Sequence, residues 1–446
     1  MSKNKRDKSL FSIDLISCNG IIKLKIILCK TTEKENIKMK KTILRDYAKL
    51  LARKGVNVQK GQEVIIVAEL DQPEFVKILA EECYKAGASK VNVEWSYQPL
   101  RKLDVRYQKE KVLSAVEDWE IEKMKHRVKT LPAIIYLESE DPDGLKGINQ
   151  KKMAKCLGIR RGVFKPYRDE MDNKYQWCIA AVAGKAWAKK VFPGERASVA
   201  VEKLWEAILY TSRAQGDGIR NWEEHNADLK NRYEYLNSLG ITELHYTSSN
   251  GTDLTVGLLP EGRFMGGSDL LLNSDVEYNA NIPSEEVFTS PDRNRADGIV
   301  YSSMPLSYQG SLIENFHFVL KDGKIVEAHA EKGEELLNSI LDTDEGARYL
   351  GECALVPYDS PIRNSGILFY NTLFDENAAC HLAFGEGFSS CVRDYEKYTL
   401  EEIHKLGIND SIVHVDFMIG TKDLSITAKT ENGKEVPIFK DGNWAF

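Results

Sequence analysis

With 446 residues, of which 42% are hydrophobic and 29% charged, the chain is long enough for two or three domains and too apolar to be disordered throughout. A net charge of −6 argues against a general nucleic-acid partner, which needs a basic footprint. The eight cysteines form no CxxC pair, which excludes a zinc ribbon or a thioredoxin-like motif. Cys83, Cys156, Cys178, Cys353 and Cys380 lie in apolar stretches, as reduced thiols of a cytoplasmic protein do.

Residues 1–38 do not read like the rest. Leu15-Ile16-Ser17-Cys18 loosely resembles a lipoprotein cleavage site, but Asp14, Lys23 and Lys25 interrupt the apolar runs, so neither a signal peptide nor a membrane span is expected. Met39 is the expected physiological start, with residues 1–38 a disordered or non-native extension. An amphipathic helix opens at residue 40. Residues 63–70 and 91–95 are β-rich and flank a helix at 73–86, and short buried strands follow at 133–137 and 178–182. Residues 141–156 read as a connection re-entering a helix at 151–157. This alternation predicts an α/β layer with a mostly parallel sheet. It holds no GxxxxGK[ST] or GxGxxG phosphate loop. The nearest approach, Gly385-Glu386-Gly387-Phe388-Ser389-Ser390, lacks the last glycine. A helical stretch at 201–235 leads out of this part. Beyond Gly240, strands and turns dominate: Asn250-Gly251 marks a hairpin within 244–258, and Glu261–Gly267 is a tight turn. Its glycines serve either loop geometry or close approach of a substrate. The expected organisation is an N-terminal α/β domain at 39–235 and a C-terminal α+β metal-binding catalytic domain at 236–446.

The chemistry concentrates late in the chain. In a strand over 412–419, Val413, Val415, Phe417 and Ile419 share one face, while His414 and Asp416 share the other. Imidazole and carboxylate pointing the same way are half of a divalent-cation site; a strand with its polar face in water is the alternative. Glu376 and His381 are five residues apart, roughly 140° on a helix and on opposite faces of a strand. They converge only if Glu376 lies on a turn leading into a helix that carries His381. Glu352 precedes an apolar run, and Glu285-Glu286 lie in a Pro-bounded segment. Buried carboxylates need an Arg or Lys partner, hydrogen bonds or a metal.

The ordered segments Asn281-Ile-Pro-Ser-Glu-Glu-Val-Phe-Thr-Ser-Pro291, Pro305-Leu-Ser-Tyr-Gln-Gly310, Leu350-Gly-Glu-Cys-Ala-Leu-Val-Pro357, Phe374-Asp-Glu-Asn-Ala-Ala-Cys-His381 and His414-Val-Asp-Phe-Met-Ile-Gly420 resemble the thermophilic metalloaminopeptidases, the aminopeptidase T / aminopeptidase S family. The resemblance runs from about Met39 to Phe446. It implies a homodimeric two-metal exopeptidase acting on peptides, with Glu286, Glu352, Glu376, His381, His414 and Asp416 as metal ligands. The choice of Glu286 over Glu285 rests on the family pattern alone. One residue departs from that pattern: the family's Tyr seven residues after the equivalent of His381 is Phe388 here. Ser389 or Tyr395 would then have to supply the missing hydroxyl, or the reaction is slower.

Two divalent ions ~3.5–4 Å apart can deprotonate a water and polarise a carbonyl. Zn, Co, Mn or Mg suits such a thiolate-free ligand set. Glu352 and Glu376 are the carboxylates expected to move the proton. A metal-dependent amidohydrolase or phosphoesterase could use the same ligands. A metal-free glycosidase would survive chelation, and a binding protein with negligible turnover would accommodate Phe388. No membrane partner is expected.

Overall fold

The computed structural model describes residues 41–308 and 310–446; the extension assigned to residues 1–38 lies outside the described residues. Near-continuous apolar runs form a five-stranded parallel sheet, in the order Asn281–Ile282, Trp177–Ala181, Ala133–Glu138, Glu63–Glu69 and Lys90–Ser96. The helix Pro73–Ala86 starts on a proline, buries Phe75, Val76, Leu79 and Cys83, and stops at Gly87 with φ 125°. Tyr47, Phe75 and Trp205 pack ring to ring above the sheet, with centroids 5.6 to 6.2 Å apart.

Two helical expectations change in extent. The single stretch at 201–235 is two helices, Ala197–Thr211 and Gly218–Ser238, because Gly216 turns at φ 72° and Asp217 caps the second through Arg220 N. The helix expected at 151–157 runs over Gln150–Met171. Gly158, Gly162 and Pro166 weaken its local signal, but Met153, Cys156 and Met171 bury and hold it to the body. The helices Gln98–Tyr107 and Asp118–Thr130 were not anticipated.

After the second long helix the strands pair antiparallel, apart from Asn281–Ile282, which returns to the edge of the parallel sheet. The expected hairpin pairs Ile241–Thr247 with Asp253–Leu258, and Gly251 takes φ 104° in its turn. It belongs to a nine-stranded sheet. A second antiparallel sheet has the order His414–Met418, His381–Gly385, Leu350–Leu355, Val287–Thr289, Met265–Gly266. Its inner face sends Cys353, Leu355, Leu382, Phe384, Val415 and Phe417 into one core with the longer sheet, where Phe417 meets Phe318 edge-on at 5.0 Å. The other face of this sheet is free to carry polar groups.

Candidate metal centre

Strand register places the polar groups. Glu352 pairs with Ala383, and Ala383 pairs with Asp416, so the two carboxylates flank one small side chain on the outer face. His381 lies two residues before Ala383, and His414 two before Asp416, so the period of two brings both imidazoles to that same face. Ala383, lacking any bulk beyond Cβ, leaves the space between them open.

Glu286 enters from the loop before Val287–Thr289, its Oε2 3.2 Å from His381 Nε2. His414 Nε2 lies 3.1 Å from Glu352 Oε2 and 3.2 Å from Asp416 Oδ1. The ligand atoms thus fall into two groups, Glu286–Glu352–His381 and Glu352–His414–Asp416, each within 4.8 Å, with Glu352 common to both. Both imidazoles are oriented from behind. His381 Nδ1 donates to Ala379 O at 3.1 Å, and His414 Nδ1 donates to Glu386 O at 2.7 Å. A carbonyl only accepts, so Nδ1 carries a proton in each ring, and Nε2 is the nitrogen turned toward the carboxylates of the site.

Glu376 sits on the short 3-10 turn Glu376–Ala378, as the turn half of the expectation required, but His381 is on a strand and not on a helix. Apolar anchoring brings them together: Phe374 stacks on Phe369 at 4.5 Å in the core beneath the parallel sheet, and Trp187 Nε1 donates to Phe369 O at 2.6 Å. Glu376 therefore reaches the site from a turn that packs against the strand His414–Met418. Burial, then the charges of Asp416, Glu286 and Glu352, hold its carboxyl well above the usual range. Burial likewise pushes Glu352 up to about 7.

Four carboxylates and two imidazoles converge here. Two carboxylates at such separations repel by about 3–4 kcal/mol at an effective dielectric near 20. A divalent cation offsets that repulsion, and the thiolate-free set fits the ions expected from the sequence. Cys380 takes no part: its Sγ donates to Val356 O at 3.2 Å, and burial raises the thiol to about 12. A third group, Glu386, His404 and Asp410, is already served by the Lys165 ammonium, 3.3 Å from Glu386 and 3.4 Å from Asp410.

The structure also separates Glu285 from Glu286. Glu285 turns away to a two-point ion pair with Arg213, one arm at 2.9 Å, while its backbone N–H donates to Asn377 Oδ1. It ties the loop to the helical side and leaves Glu286 facing the site. The turn glycines serve geometry: a Cβ on Gly266 would lie 2.6 Å from Glu286 O, so the close approach is to the chain's own strand.

The site opens into a cavity of about 750 Å³, walled opposite by the helix Gln150–Met171 and the sheet residues Trp177 and Ile179. Phe388 lines it, its ring 5.0 Å from His414 and 5.5 Å from Phe288. The hydroxyls considered as substitutes are placed differently. Ser389 Oγ donates to Asp172 at 2.8 Å, while Tyr395 stands under the Arg263 guanidinium and does not line the cavity. The sequence reading missed Asp269 and Tyr278, which also line the cavity. Their only signal was the glycine turn that ends just before Asp269.

The pattern of the thermophilic metalloprotease (M29) family matches residues 40–444. Aminopeptidase AmpS of Bacillus subtilis is 42% identical over 405 residues, 90% of this chain and 98% of that protein. Aminopeptidase T of Thermus thermophilus is 39% identical, over 90% of this chain and 98% of its own. The solved structure of wild-type AmpT from Thermus thermophilus superimposes with a TM-score of 0.82 at 38% identity, covering 91% of this chain and 100% of that one.

Proposed function

The chain belongs to the thermophilic metalloprotease (M29) family and is a metal-dependent aminopeptidase, and we propose that it works with two divalent ions per chain. The observation that carries this reading is the sharing of Glu352 between two ligand groups. Glu286 and His381 would hold one ion, His414 and Asp416 the other, and Glu352 both. Ions bound there would polarise a peptide carbonyl and lower the pKa of water. The protein's own residues do the rest. The Nδ1 hydrogen bonds to Ala379 and Glu386 keep the imidazoles aimed. Glu376, outside both tight groups but within the charge field of Asp416, is placed to take a proton from the attacking water and deliver it to the leaving amine.

Activity on an aminoacyl anilide should vanish on chelation and return when Zn, Co or Mn is restored, with elemental analysis giving two ions per chain at full activity. Activity that survives chelation would sink the metal-dependent reading. Full activity with one ion would sink the two-ion proposal alone.

The absence of a hydroxyl at Phe388 has a measurable consequence. With Ser389 committed to Asp172 and Tyr395 off the cavity wall, Phe388→Tyr should raise kcat by ~10-fold or more, if a phenol there helps hold the developing oxyanion. Metal content should not change. An unchanged kcat would make Phe388 a packing residue only.

The proposal extends to a homodimer in the cytoplasm. Leu100, Leu103 and Tyr107 follow helical spacing on Gln98–Tyr107 and are 54%, 45% and 76% exposed, beside exposed Trp95 and Tyr97. Such an apolar stripe supports burial against a second copy. Light scattering at micromolar concentration should report a dimer, and Leu103→Glu should convert it to monomer. The described cysteines are free and buried, which supports a reducing compartment. No described helix is long and apolar enough to cross a membrane.

A further inference from the structure

Beside Glu286, one wall of the cavity presents a carboxylate and an amide oxygen that have no hydrogen-bond donor among the described residues. The pairing of Gly266 with Val287 brings the following loop alongside Glu286, and Asp269 is the third residue beyond that glycine. Asp269 is paired across a two-stranded ribbon with Tyr278, and both line the cavity. Among the described residues, the Asp269 carboxylate has neither a hydrogen bond nor an ion pair; the charges acting on it are those of Glu286, Asp172 and, in opposition, Arg263. Arg263 is held elsewhere, with its Nε donating to Ser390 O at 2.8 Å and its guanidinium over the Tyr395 ring.

Two further groups lack partners. Tyr278 is only 3% exposed, yet among the described residues its hydroxyl makes no hydrogen bond. Asn281, three residues on, lines the same cavity with a buried Oδ1 that has no donor. An unsatisfied buried acceptor such as Asn281 Oδ1 is costly. Together with the unpaired Asp269 carboxylate on the same cavity, it fits a ligand that brings N–H donors and positive charge. An ammonium has three N–H donors and no acceptor.

We propose that Asp269, with Tyr278 and Asn281, receives the α-ammonium group of the substrate. This inference rests on the aminopeptidase reading and deepens it: recognition of a free amine beside Glu286 would set the N-terminal residue at the metal centre and exclude internal peptide bonds. Asp269 is then a substrate-binding residue and not a metal ligand.

The test compares wild type with Asp269→Asn, Asp269→Glu and Tyr278→Phe on leucine and lysine p-nitroanilides, with metal content measured alongside. Calorimetry adds the affinity of each protein for L-leucinol and for its des-amino analogue. Asp269→Asn should lower kcat/KM on both anilides by a similar factor, on the order of 10- to 100-fold and mostly through KM, at unchanged metal content. It should also abolish the preference for leucinol over the des-amino alcohol. Asp269→Glu should recover part of both, and Tyr278→Phe should cost a few-fold in KM. A loss confined to the lysine substrate would assign the wall to a side-chain ammonium and overturn the proposal. So would loss of metal from Asp269→Asn, or a leucinol preference that survives it. A wild type that cleaves neither anilide would instead defeat the aminopeptidase reading, and the leucinol comparison would still decide the subsite.

Discussion

Glu352→Gln should lower kcat/KM by about 10³-fold or more and strip most of the bound metal, the largest loss expected from a single substitution. Glu352 alone belongs to both ligand groups, so its charge serves every ion the site would hold. Gln preserves volume and one carbonyl oxygen, so the strand Leu350–Leu355 should keep its pairing on both sides. The charge is what disappears, together with one oxygen of the carboxylate that approaches His414 Nε2 to 3.1 Å. Elemental analysis, steady-state kinetics and circular dichroism on one preparation separate these effects. A folded Glu352→Gln variant with two ions and near-normal turnover would remove Glu352 from the ligand set. By contrast, His381→Ala should spare the group built on His414, and Asp416→Ala the group built on His381. Each should weaken one position before the other.

Glu376→Gln should lower kcat by ~10²–10⁴-fold while most of the metal remains bound, a different signature from the first substitution. The reason is position. Glu376 lies outside both tight ligand groups and comes from a turn anchored by Phe374, not from the strands that carry Glu352, His381, His414 and Asp416. Its carboxyl is buried and surrounded by other acids, so it holds a proton more readily than an exposed glutamate. That property suits a group that must accept a proton and pass it on. The amide of Gln can do neither, although it fills the same space. Should Glu376→Gln lose metal in proportion to activity, Glu376 is a ligand, as the family resemblance has it, and the proton falls to another group. Measuring kcat and metal content together on this variant decides between the two roles.

Local pattern was sufficient wherever one element carried the information. Val415 and Phe417 alternate with His414 and Asp416, and a strand has only two faces, so burying the apolar pair commits the polar pair to the other side. The parallel sheet was legible for a similar reason, since its strands are short apolar runs separated by an amphipathic helix. The ordered motifs carried the family, because several spaced matches constrain a chain far more than any one of them.

Tertiary structure decided what depends on partners distant in sequence. Nothing local distinguishes Glu285 from Glu286; the distinction is made by Arg213, 72 residues away, which neutralises the first and leaves the second to face His381. Register alone placed Glu352 and Asp416 either side of Ala383, because cross-strand neighbours are chosen by the whole sheet. The turn at Glu376 found its place through aromatic packing into the core of the parallel sheet, contacts that no window around residue 376 contains. Asp269 was invisible for the same reason: an aspartate after a glycine turn is ordinary, and it becomes notable only when folding brings it beside Glu286 without supplying a donor. Alternation along a chain determines which side chains share a face, whereas the charges that meet across a cavity depend on every segment that closes it.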